Sequence, residues 1–337
     1  MNSRLTRPTL SNLGLALSIA GLSLLAPACV ANEPVDPAGS EDETVDEAAQ
    51  PITDGSPADM FSRQRAGFFM RAGCTGTIIG PRTILAASHC EIVPNDEIRF
   101  YTSTDVGNAP PPDPATARFV QSVTIPAGVS PSNSDFIDSN GKFADVAVIR
   151  LTADVPATSV VGDMNWVYPG SSTWGTKVGG ARTSALINDR GFLRMTNDMT
   201  ASGSDGDGGY YTLVDQTTPG DSGGPFYVAS RTIGTLYGSV GTQNRYTSVP
   251  FHLNFIVNAM GYEFSGQIFA TGYILNGQDQ ATYTGRTQTA CAYICDHTAS
   301  CVAFNHYPNL GGMQNVCQLK KTFTGAAVFA GATSGLK

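Results

Sequence analysis

A serine in a glycine-rich stretch is the strongest candidate for chemistry in this sequence. Residues 217–225 read TTPGDSGGP, with Ser222 near the centre and Asp221 immediately before it. Glycine lets the backbone adopt conformations that side chains forbid, so two amide N–H groups can point at one position and stabilise an oxyanion there. Gly, Pro, Asp and Ser are also turn residues, so a plain turn between two strands is the alternative. We interpret Ser222 as a candidate nucleophile.

A serine nucleophile needs a general base within hydrogen-bond reach and a carboxylate that orients this base. Of the four histidines, His89 lies in the most suitable context, the segment ILAASHC that ends at Cys90. Cys74 opens the preceding strand pair, so a Cys74–Cys90 disulfide would fix the loop that carries His89. Asp145 stands at the start of the apolar run VAVIRL, where an acid is unusual unless it has a partner. These residues are the candidate base and its orienting carboxylate.

The elements that must position these groups are predicted to be short β-strands. Glycine is abundant at 37 residues and charged residues are only 14%, as expected for a loop-rich β protein outside the cytosol. From residue 52, strand-length apolar runs recur between Gly, Pro, Asn and Asp clusters, which predicts an all-β sandwich or barrel. A helix is predicted at 250–260, ended by Gly261. The predicted strand runs are 67–70, 75–79, 83–86, 98–101, 119–125, 146–151, 176–178, 211–214, 226–228 and 232–237.

The order His89, Asp145, Ser222 and the three local contexts resemble the chymotrypsin/trypsin-like serine proteases. The resemblance covers roughly residues 52–261. It implies two six-stranded antiparallel β-barrels of the trypsin-like fold with a C-terminal helix, and no cofactor. It also implies that Ser222 is the nucleophile, His89 the general base and then acid, and Asp145 the orienting group. The N–H groups of Gly220 and Ser222 would form the oxyanion hole.

The resemblance further implies an activation step at Ile52. Family members begin, after cleavage, with an ammonium group that pairs with the aspartate before the nucleophile. Ile52 stands about where that start belongs, and Asp221 is available as its partner. The local sequence is ITDG rather than the family's IVGG, and Gln-Pro precedes it, so a trypsin-like activator would not cut there. The alternative is that Ile52 simply starts a strand.

The specificity pocket is the least determined part of the site. By the resemblance, its floor lies six residues before the nucleophile, at Gln216. A neutral amide offers no counter-charge for Arg or Lys, so cleavage after basic residues is not favoured. Asp215 would reach the pocket if this loop, which lacks the family's usual disulfide, is displaced by one residue. The segment 234–241 is expected to form one pocket wall, and the preference itself stays open.

A cysteine-rich region follows from about residue 263, with a helix predicted near residues 288–296. Its spacing of cysteines and its ending ATSGLK resemble PAN/apple domains, in which a helix is stapled to a small curved sheet; the cysteines are Cys291, Cys295, Cys301 and Cys317. The resemblance implies Cys295–Cys301 and Cys291–Cys317 bridges, although four cysteines permit three pairings. PAN/apple modules bind proteins or carbohydrates, which indicates a targeting role. A stabilising appendage without a ligand is the alternative.

The N-terminus is predicted to be an export signal. Residues 1–28 combine a basic start, an apolar run too short to span a membrane comfortably and a small-residue cleavage site. Cys29 follows directly and resembles the lipidated cysteine of bacterial lipoproteins; an ordinary secretory signal remains the alternative. Residues 29–51 are acidic and poor in large apolar groups, so they are predicted to be a spacer or propeptide. Export makes disulfides permissible.

Charge and composition limit the kinds of partner that this chain is expected to bind. Beyond residue 51 the chain holds 18 basic and 21 acidic residues, so no basic field points to nucleic acid. Membrane contact is expected only through a lipid at Cys29. Acidic residues at 205 and 207 suggest a solvated loop rather than a calcium site, and His297 and His306 stand near cysteines that should be oxidised, so no metal is expected.

The sequence therefore predicts a secreted or lipid-anchored serine endopeptidase that acts on proteins or peptides. The predicted divisions are a signal peptide at 1–28, a spacer at 29–51, a protease domain at 52–262 and a PAN/apple domain at 263–337. The alternative is a catalytically silent recognition protein on a protease fold, in which the C-terminal module carries the function. Reaction of Ser222 with a serine-directed probe separates the two hypotheses.

Overall fold

A computed structural model describes residue 52 and residues 55–102, 111–131, 135–182, 190–201, 205–268 and 271–337. The predicted export signal, the predicted spacer and Cys29 lie outside these residues. The described residues belong to one compact unit, Glu47–Lys337. Within them, no helix has the length and apolar character that crossing a membrane requires.

A closed β-barrel is formed by the first half of the described chain. A short strand β1 (Ser56–Pro57) and a one-turn helix α1 (Met60–Arg63) precede it. The barrel strands are β2 (Ala66–Phe69), β3 (Cys74–Gly80), β4 (Thr83–Ala86), β5 (Glu97–Phe100), β6 (Asp113–Thr124) and β7 (Ala147–Leu151). Their order is β2-β3-β4-β7-β6-β5, and β5 pairs with β2 to close the ring. Buried aliphatic side chains, among them Ile78, Ile84, Ile98 and Ile149, form its core.

The second half forms another barrel-like sheet. Its strands are β8 (Trp174–Arg182), β9 (Arg190–Met199), β10 (Gly209–Thr212), β11 (Pro225–Val228), β12 (Arg231–Val240) and β13 (Gln243–Ser248). Among the described residues the order is β1-β9-β8-β11-β12-β13-β10. A bridge between Thr200 and Thr212 then joins the end of β9 to β10, with hydrogen bonds of 2.9 and 3.0 Å on either side. The predicted trypsin-like fold with two six-stranded barrels is confirmed.

Each predicted strand run overlaps an observed strand, but the runs leave out β1, β9 and β13. The longest of these three is β9. Its sequence RGFLRMTNDM mixes polar and apolar residues without a strict alternation. It nevertheless pairs with β8 over its whole length, from Trp174 opposite Met199 to Arg182 opposite Arg190. Pairing with neighbouring strands determines whether such a segment forms a strand, because β-propensity depends strongly on those neighbours.

The helix predicted at the end of the barrels is present as α2 (Val249–Ala259). Ser248 caps it by accepting a hydrogen bond from the Phe251 N–H, and Gly261 follows its end with a φ of 64°. The helix buries Leu253, Ile256 and Val257 against the barrels. These contacts explain why a helix of eleven residues is stable here.

The C-terminal region is a small sheet covered by one helix. It contains β14 (Gln267–Ile268), β15 (Tyr273–Asn276), β16 (Asp279–Tyr283), α3 (Gln288–Asp296), β17 (Ala303–Leu310), β18 (Met313–Lys320), β19 (Gly325–Val328) and β20 (Thr333–Leu336). The main sheet has the order β14-β20-β17-β18-β16, and β15 pairs with β19. Disulfides join Cys291 of α3 to Cys317 of β18, and Cys295 to Cys301. The first bridge staples the helix to the sheet, and the second ties the end of the helix to the segment before β17.

This C-terminal region packs against helix α2 and the segment that contains Met164 and Trp166. One cluster of buried apolar side chains includes Leu253 of α2 together with Phe304 of β17. The Tyr293 hydroxyl accepts a 2.8 Å hydrogen bond from the Met164 N–H. The Arg286 guanidinium donates to the carbonyls of Pro250 and Trp166 at 2.8 and 2.7 Å. The two regions therefore share a core instead of being joined by a flexible linker alone.

Candidate active site

The structure brings His89 and Asp145 into direct contact, although 56 positions separate them in sequence. His89 Nδ1 lies 2.6 Å from Asp145 Oδ2, and the His89 backbone N–H donates to Asp145 Oδ1 at 2.9 Å. The Ser88 hydroxyl donates to the same Oδ1 at 2.7 Å. Asp145 is completely buried, and these donors satisfy a carboxylate that would be very unfavourable there without partners.

His89 sits in a 3-10 turn, Ser88–Cys90, directly after strand β4. The Cys74–Cys90 disulfide ties this turn to the start of β3. The rings of Phe136 and Tyr237 contact the imidazole edge to face, with centroid distances of 6.0 and 5.7 Å. His89 keeps about a quarter of its side chain exposed (25%), so one face of the imidazole is held by aromatic rings and another remains open to a substrate.

Ser222 lies in a loop whose carbonyl groups are tied to β3. The Thr75 hydroxyl donates to the Gly220 carbonyl, and the Thr75 N–H donates to the Ser222 carbonyl, both at 2.8 Å. Gly220 has a φ of 106°, a conformation that favours glycine. At Gly223, whose φ is 80°, a Cβ would lie 2.2 Å from the Thr75 carbonyl oxygen. Backbone conformation and steric constraints therefore explain why glycine occupies these two positions of the loop.

The N–H groups of Gly220 and Ser222 donate to no protein acceptor among the described residues. Thr75 binds the carbonyl groups of both residues. Their N–H groups therefore remain available to donate hydrogen bonds to another acceptor. Both residues line a cavity of about 360 Å³ that also contains His89 and the Cys74–Cys90 bridge. Two free backbone donors beside a serine are the arrangement that stabilises an oxyanion in acyl transfer.

His89 and Ser222 line the same cavity but are not hydrogen-bonded to each other. Within the described part of the chain, the contact recorded for the His89 ring nitrogens is the one from Nδ1 to Asp145. Nucleophile and base are often further apart in a free enzyme than in its substrate complex. The structure therefore brings together all three predicted triad residues, two of them in contact.

Asp221 lies buried beneath the serine loop and faces Ile52. Its Oδ2 accepts hydrogen bonds from the N–H groups of Ile52 and Thr218 at 3.2 and 2.9 Å. Its Oδ1 has no hydrogen-bond partner among the described residues. Burial raises the pKa of Asp221 to about 7, although the hydrogen bonds from Thr218 and Ile52 act in the opposite direction. A buried carboxylate with one unsatisfied oxygen is suited to receive a cation.

The family model for trypsin matches residues 52–256, which is more than half of the chain. The chain belongs to the trypsin family. No curated protein sequence matches it.

Similar solved structures include several members of the same fold. Neuropsin, a serine protease expressed in the limbic system of mouse brain, is 18% identical with a TM-score of 0.49, over 62% of this chain and 100% of neuropsin. Human heparin binding protein is 15% identical with a TM-score of 0.49, over 64% and 100% of the two chains. An inactivated protease paralogue of the scabies mite is 16% identical with a TM-score of 0.47, over 62% and 99%. Identities this low carry no information on activity.

The residues predicted to lie at the specificity pocket of this trypsin-family chain form a dense polar network. Asp215 Oδ1 accepts hydrogen bonds from Ser239 Oγ and Asn244 Nδ2, both at 2.7 Å. Burial alone would raise the pKa of Asp215, but hydrogen bonds from Ser239, Thr217 and Asn244 hold it below its usual range. The Gln216 side-chain oxygen is buried without a hydrogen-bond partner among the described residues. Asp215 is thus the carboxylate held against the predicted pocket wall, which includes Ser239.

A buried ion pair lies beneath this network. Lys177 Nζ is 2.5 Å from Asp198 Oδ2 and also donates to the Val214 carbonyl and to Asn244 Oδ1, at 2.6 and 2.7 Å. Burial lowers the pKa of the Lys177 ammonium, and Asp198 opposes this shift. Three acceptors match the three donors of an ammonium, so Lys177 is fully occupied. Asn244 links this pair to Asp215.

Sequence reasoning missed several residues that support the site. Ser88 stood visibly before His89, but nothing in the sequence indicates that its hydroxyl meets Asp145. Thr75 lies at the start of β3, and its contacts with the serine loop span about half of the chain. Lys177 and Asn244 carry no motif. The only sequence feature that indicated the buried ion pair was Lys177 itself, because it is a charged residue within a strand.

Other side chains that could ligate a metal form no complete ligand set among the described residues. Cys74, His89 and Cys90 lie within reach of one another, but both sulfurs are in a disulfide. His306 Nε2 donates a hydrogen bond to the Arg286 carbonyl at 2.9 Å, and burial lowers the pKa of its imidazole. His297 stacks on Tyr293. The side chain of residue 205, part of the weighed calcium hypothesis, lies outside the described residues.

Proposed function

We propose that this chain is a serine endopeptidase that hydrolyses peptide bonds through an acyl-enzyme on Ser222. Membership of the trypsin family supports the reaction class. The observation that carries the proposal is the 2.6 Å contact between His89 and Asp145, in a cavity that also holds Ser222. In this arrangement Asp145 fixes the tautomer of the imidazole, so that Nε2 is free to accept a proton.

Each step of the reaction has a residue in this cavity. His89 takes the proton of the Ser222 hydroxyl as Ser222 Oγ attacks the substrate carbonyl carbon. The negative charge that develops on the carbonyl oxygen is stabilised by the N–H groups of Gly220 and Ser222. His89 then donates its proton to the leaving amine, and the C–N bond breaks. Water, activated by His89 in the same way, hydrolyses the acyl-enzyme.

Activation by cleavage before Ile52 is part of the proposal. A peptide N–H gives Asp221 one hydrogen bond, whereas a free N-terminal ammonium brings a positive charge and three donors. The unpartnered Oδ1 of Asp221 leaves room for such additional donation. Because Asp221 precedes Ser222, a change in its hydrogen bonds acts directly on the loop that holds the oxyanion donors. We propose Ile52 and Asp221 as the activation pair.

The C-terminal region is proposed to be a PAN/apple module. A helix stapled to a five-stranded sheet by Cys291–Cys317, with Cys295–Cys301 beside it, supports this assignment. Its contacts with α2 support a stabilising role for the helix side, and the opposite side of its sheet is left for a targeting role. The sequence supports export, with either plain secretion or a lipid at Cys29.

Labelling with a fluorophosphonate probe tests the proposal. The protein is compared with its Ser222→Ala and His89→Ala variants after cleavage before Ile52, with His306→Ala as the matched histidine control. We expect labelling of the parent and of His306→Ala, and loss of labelling in the two site variants. An intact, cleaved protein whose Ser222 stays unlabelled would instead favour the recognition protein, and a binding screen of the C-terminal module would follow. N-terminal sequencing of the mature protein shows whether it begins at Ile52 or is blocked at Cys29.

A further inference from the structure

The second barrel carries a large cavity that is separate from the candidate active site. Its volume is about 680 Å³, compared with about 360 Å³ for the cavity of His89 and Ser222, and the two share no lining residue. Strands β8, β9 and β11 form its base, and α1 and the β11–β12 turn form its rim. Its aromatic lining residues are Phe61, Trp174 and Tyr227. Proteolysis at Ser222 assigns no role to this cavity.

Trp174 is the most unusual residue of this cavity. Its side chain is 67% exposed, whereas tryptophan is on average one of the most buried residues. Phe61 and Tyr227 pack edge to face below it, with ring centroids 5.2 Å apart. A large exposed indole at a concave surface is typical of a binding site, since it offers rigid apolar area at a low cost in conformational entropy.

The strands at the base of the cavity are paired with neighbouring strands over much of their length. Strand β8 is paired on one side with β9 and on the other with β11. Strand β11 is likewise paired with β12. An extended peptide that binds by adding a strand needs an open sheet edge, whereas this cavity lies on the face of the sheet. Recognition must therefore come from side chains that project from the sheet.

The polar side chains at the rim indicate a neutral ligand rich in hydroxyl groups. Asp59 uses Oδ1 to accept from the Ser62 N–H at 2.8 Å, and Asn197 Oδ1 accepts from the Thr176 hydroxyl at 2.9 Å. These contacts orient a carboxylate and an amide at the mouth of the cavity. None of the described residues that line it is basic, and Asp59 adds negative charge, so an anionic ligand is disfavoured.

We propose that this cavity is a binding site for a neutral saccharide, with Trp174 as the surface on which a sugar ring stacks. A pyranose ring has a flat apolar face and a rim of hydroxyl groups, which matches an indole flanked by carboxylate, amide and hydroxyl side chains. β-1,4-linked chains present such flat faces in succession. The site would hold the enzyme on a polysaccharide surface while the His89 cavity stays accessible.

The chain contains two tryptophans, so replacing Trp166 leaves Trp174 as the single source of tryptophan fluorescence. Trp166 is only 7% exposed and donates to the Tyr283 hydroxyl, so it lies away from the cavity. In a Trp166→Phe, Ser222→Ala variant the emission reports on Trp174 alone. We expect saturable quenching or a blue shift on titration with hexasaccharides of β-1,4-linked glucose or N-acetylglucosamine, with a Kd of roughly 0.1–1 mM.

Calorimetry with the same hexasaccharides then tests the residues. Trp174→Ala and Asn197→Ala should each weaken binding at least about tenfold, while Trp166→Phe should bind like the parent. Fluorophosphonate labelling of a catalytically intact Trp174→Ala protein should be unchanged, which separates this site from Ser222. Absence of any signal with both hexasaccharides, or full binding by Trp174→Ala, would overturn the proposal. A shift in Trp174 emission caused by unstructured peptides but not by the sugars would assign the cavity to peptides and overturn it as well.

Discussion

The backbone N–H of Ile52 lies 3.2 Å from the Asp221 carboxylate, although 169 positions separate the two residues in sequence. Ile52 is 1% exposed and Asp221 is fully buried, so the contact lies inside the protein. It places the proposed activation point against the loop that carries Ser222. The arrangement is present in the uncleaved chain, which means that cleavage would change the charge at this position and need not move Ile52 far.

Cleavage immediately before Ile52 should raise activity. A buried ammonium–carboxylate pair exerts its effect only while both members are present, and removing one member typically costs about 3–5 kcal/mol. We therefore expect a strong rise in the rate of probe labelling when a protease site engineered at 47–51 is cut. Asp221→Asn, which keeps the shape but not the charge, should gain little from the same cut. Equal labelling rates before and after cleavage would contradict the activation pair.

The uncleaved chain should lose stability as the pH rises. Burial raises the pKa of Asp221 from 3.8 to about 7, so the folded state holds a proton that the unfolded state releases. Between about pH 4 and 7 the free energy of unfolding should decrease, by at most about 4 kcal/mol, and it should be level above that range. Asp221→Asn, made in the Ser222→Ala background, should flatten this dependence. Urea unfolding at pH 5 and pH 8 measures the difference, and parallel pH profiles for the two proteins would contradict it.

Ser88 should act as a positioning residue for Asp145. Its hydroxyl donates to Asp145 Oδ1 at 2.7 Å, and both residues are buried. Loss of one hydrogen bond to a buried carboxylate is worth about 1–3 kcal/mol, so Ser88→Ala should lower kcat about tenfold or more with little change in KM. Ser88→Thr, which keeps a hydroxyl, should retain more of the activity. Ser62→Ala removes another buried hydroxyl and should leave kcat unchanged; an equal loss in both alanine variants would indicate a general structural effect.

Asp215 should favour a positively charged side chain in the substrate pocket. Its carboxylate is held by Ser239 of the predicted pocket wall and by Asn244. Asp215→Asn should reduce kcat/KM for substrates cleaved after Arg or Lys by about tenfold to a hundredfold, relative to substrates cleaved after Ala. Gln216→Ala should change this ratio less. Asp154→Asn serves as the control, since that surface carboxylate lies at Arg82. A peptide library measures the ratio, and an unchanged ratio in Asp215→Asn would exclude this role.

The barrels and the C-terminal region should unfold together. Arg286 donates to the carbonyls of Pro250 and Trp166, and α2 and α3 share one apolar cluster. We expect a single calorimetric transition, shifted to lower temperature by Arg286→Ala and by Tyr293→Phe, with a loss of about 1–3 kcal/mol for each. Lys321→Ala, which changes an exposed residue just after β18, should leave the transition in place. Two separate transitions in the parent protein would show that the regions are independent.

Most of the site chemistry was determined by local sequence. The residue types around Ser222, His89 and Asp145 identified the candidate groups, and the resemblance to the chymotrypsin/trypsin-like serine proteases implied that these groups would meet. The glycines of the serine loop have local reasons, such as the φ of 106° at Gly220. Strand-length apolar runs between turn residues likewise predicted an all-β sandwich or barrel, and the family resemblance implied the two six-stranded barrels.

The tertiary structure decided what depends on the register between distant strands. Thr75 holds the serine loop, and Ser88 supports Asp145. Lys177 meets Asp198 only because β8 and β9 pair in one register. The same register determines that Trp174 stands at the edge of a cavity. A slip of β8 by one residue would turn Lys177 and Trp174 to the opposite face of the sheet. Local sequence therefore specified the catalytic groups, whereas their supporting contacts, the charge beside the pocket wall and the shared core with the C-terminal region came from the packing of the whole chain.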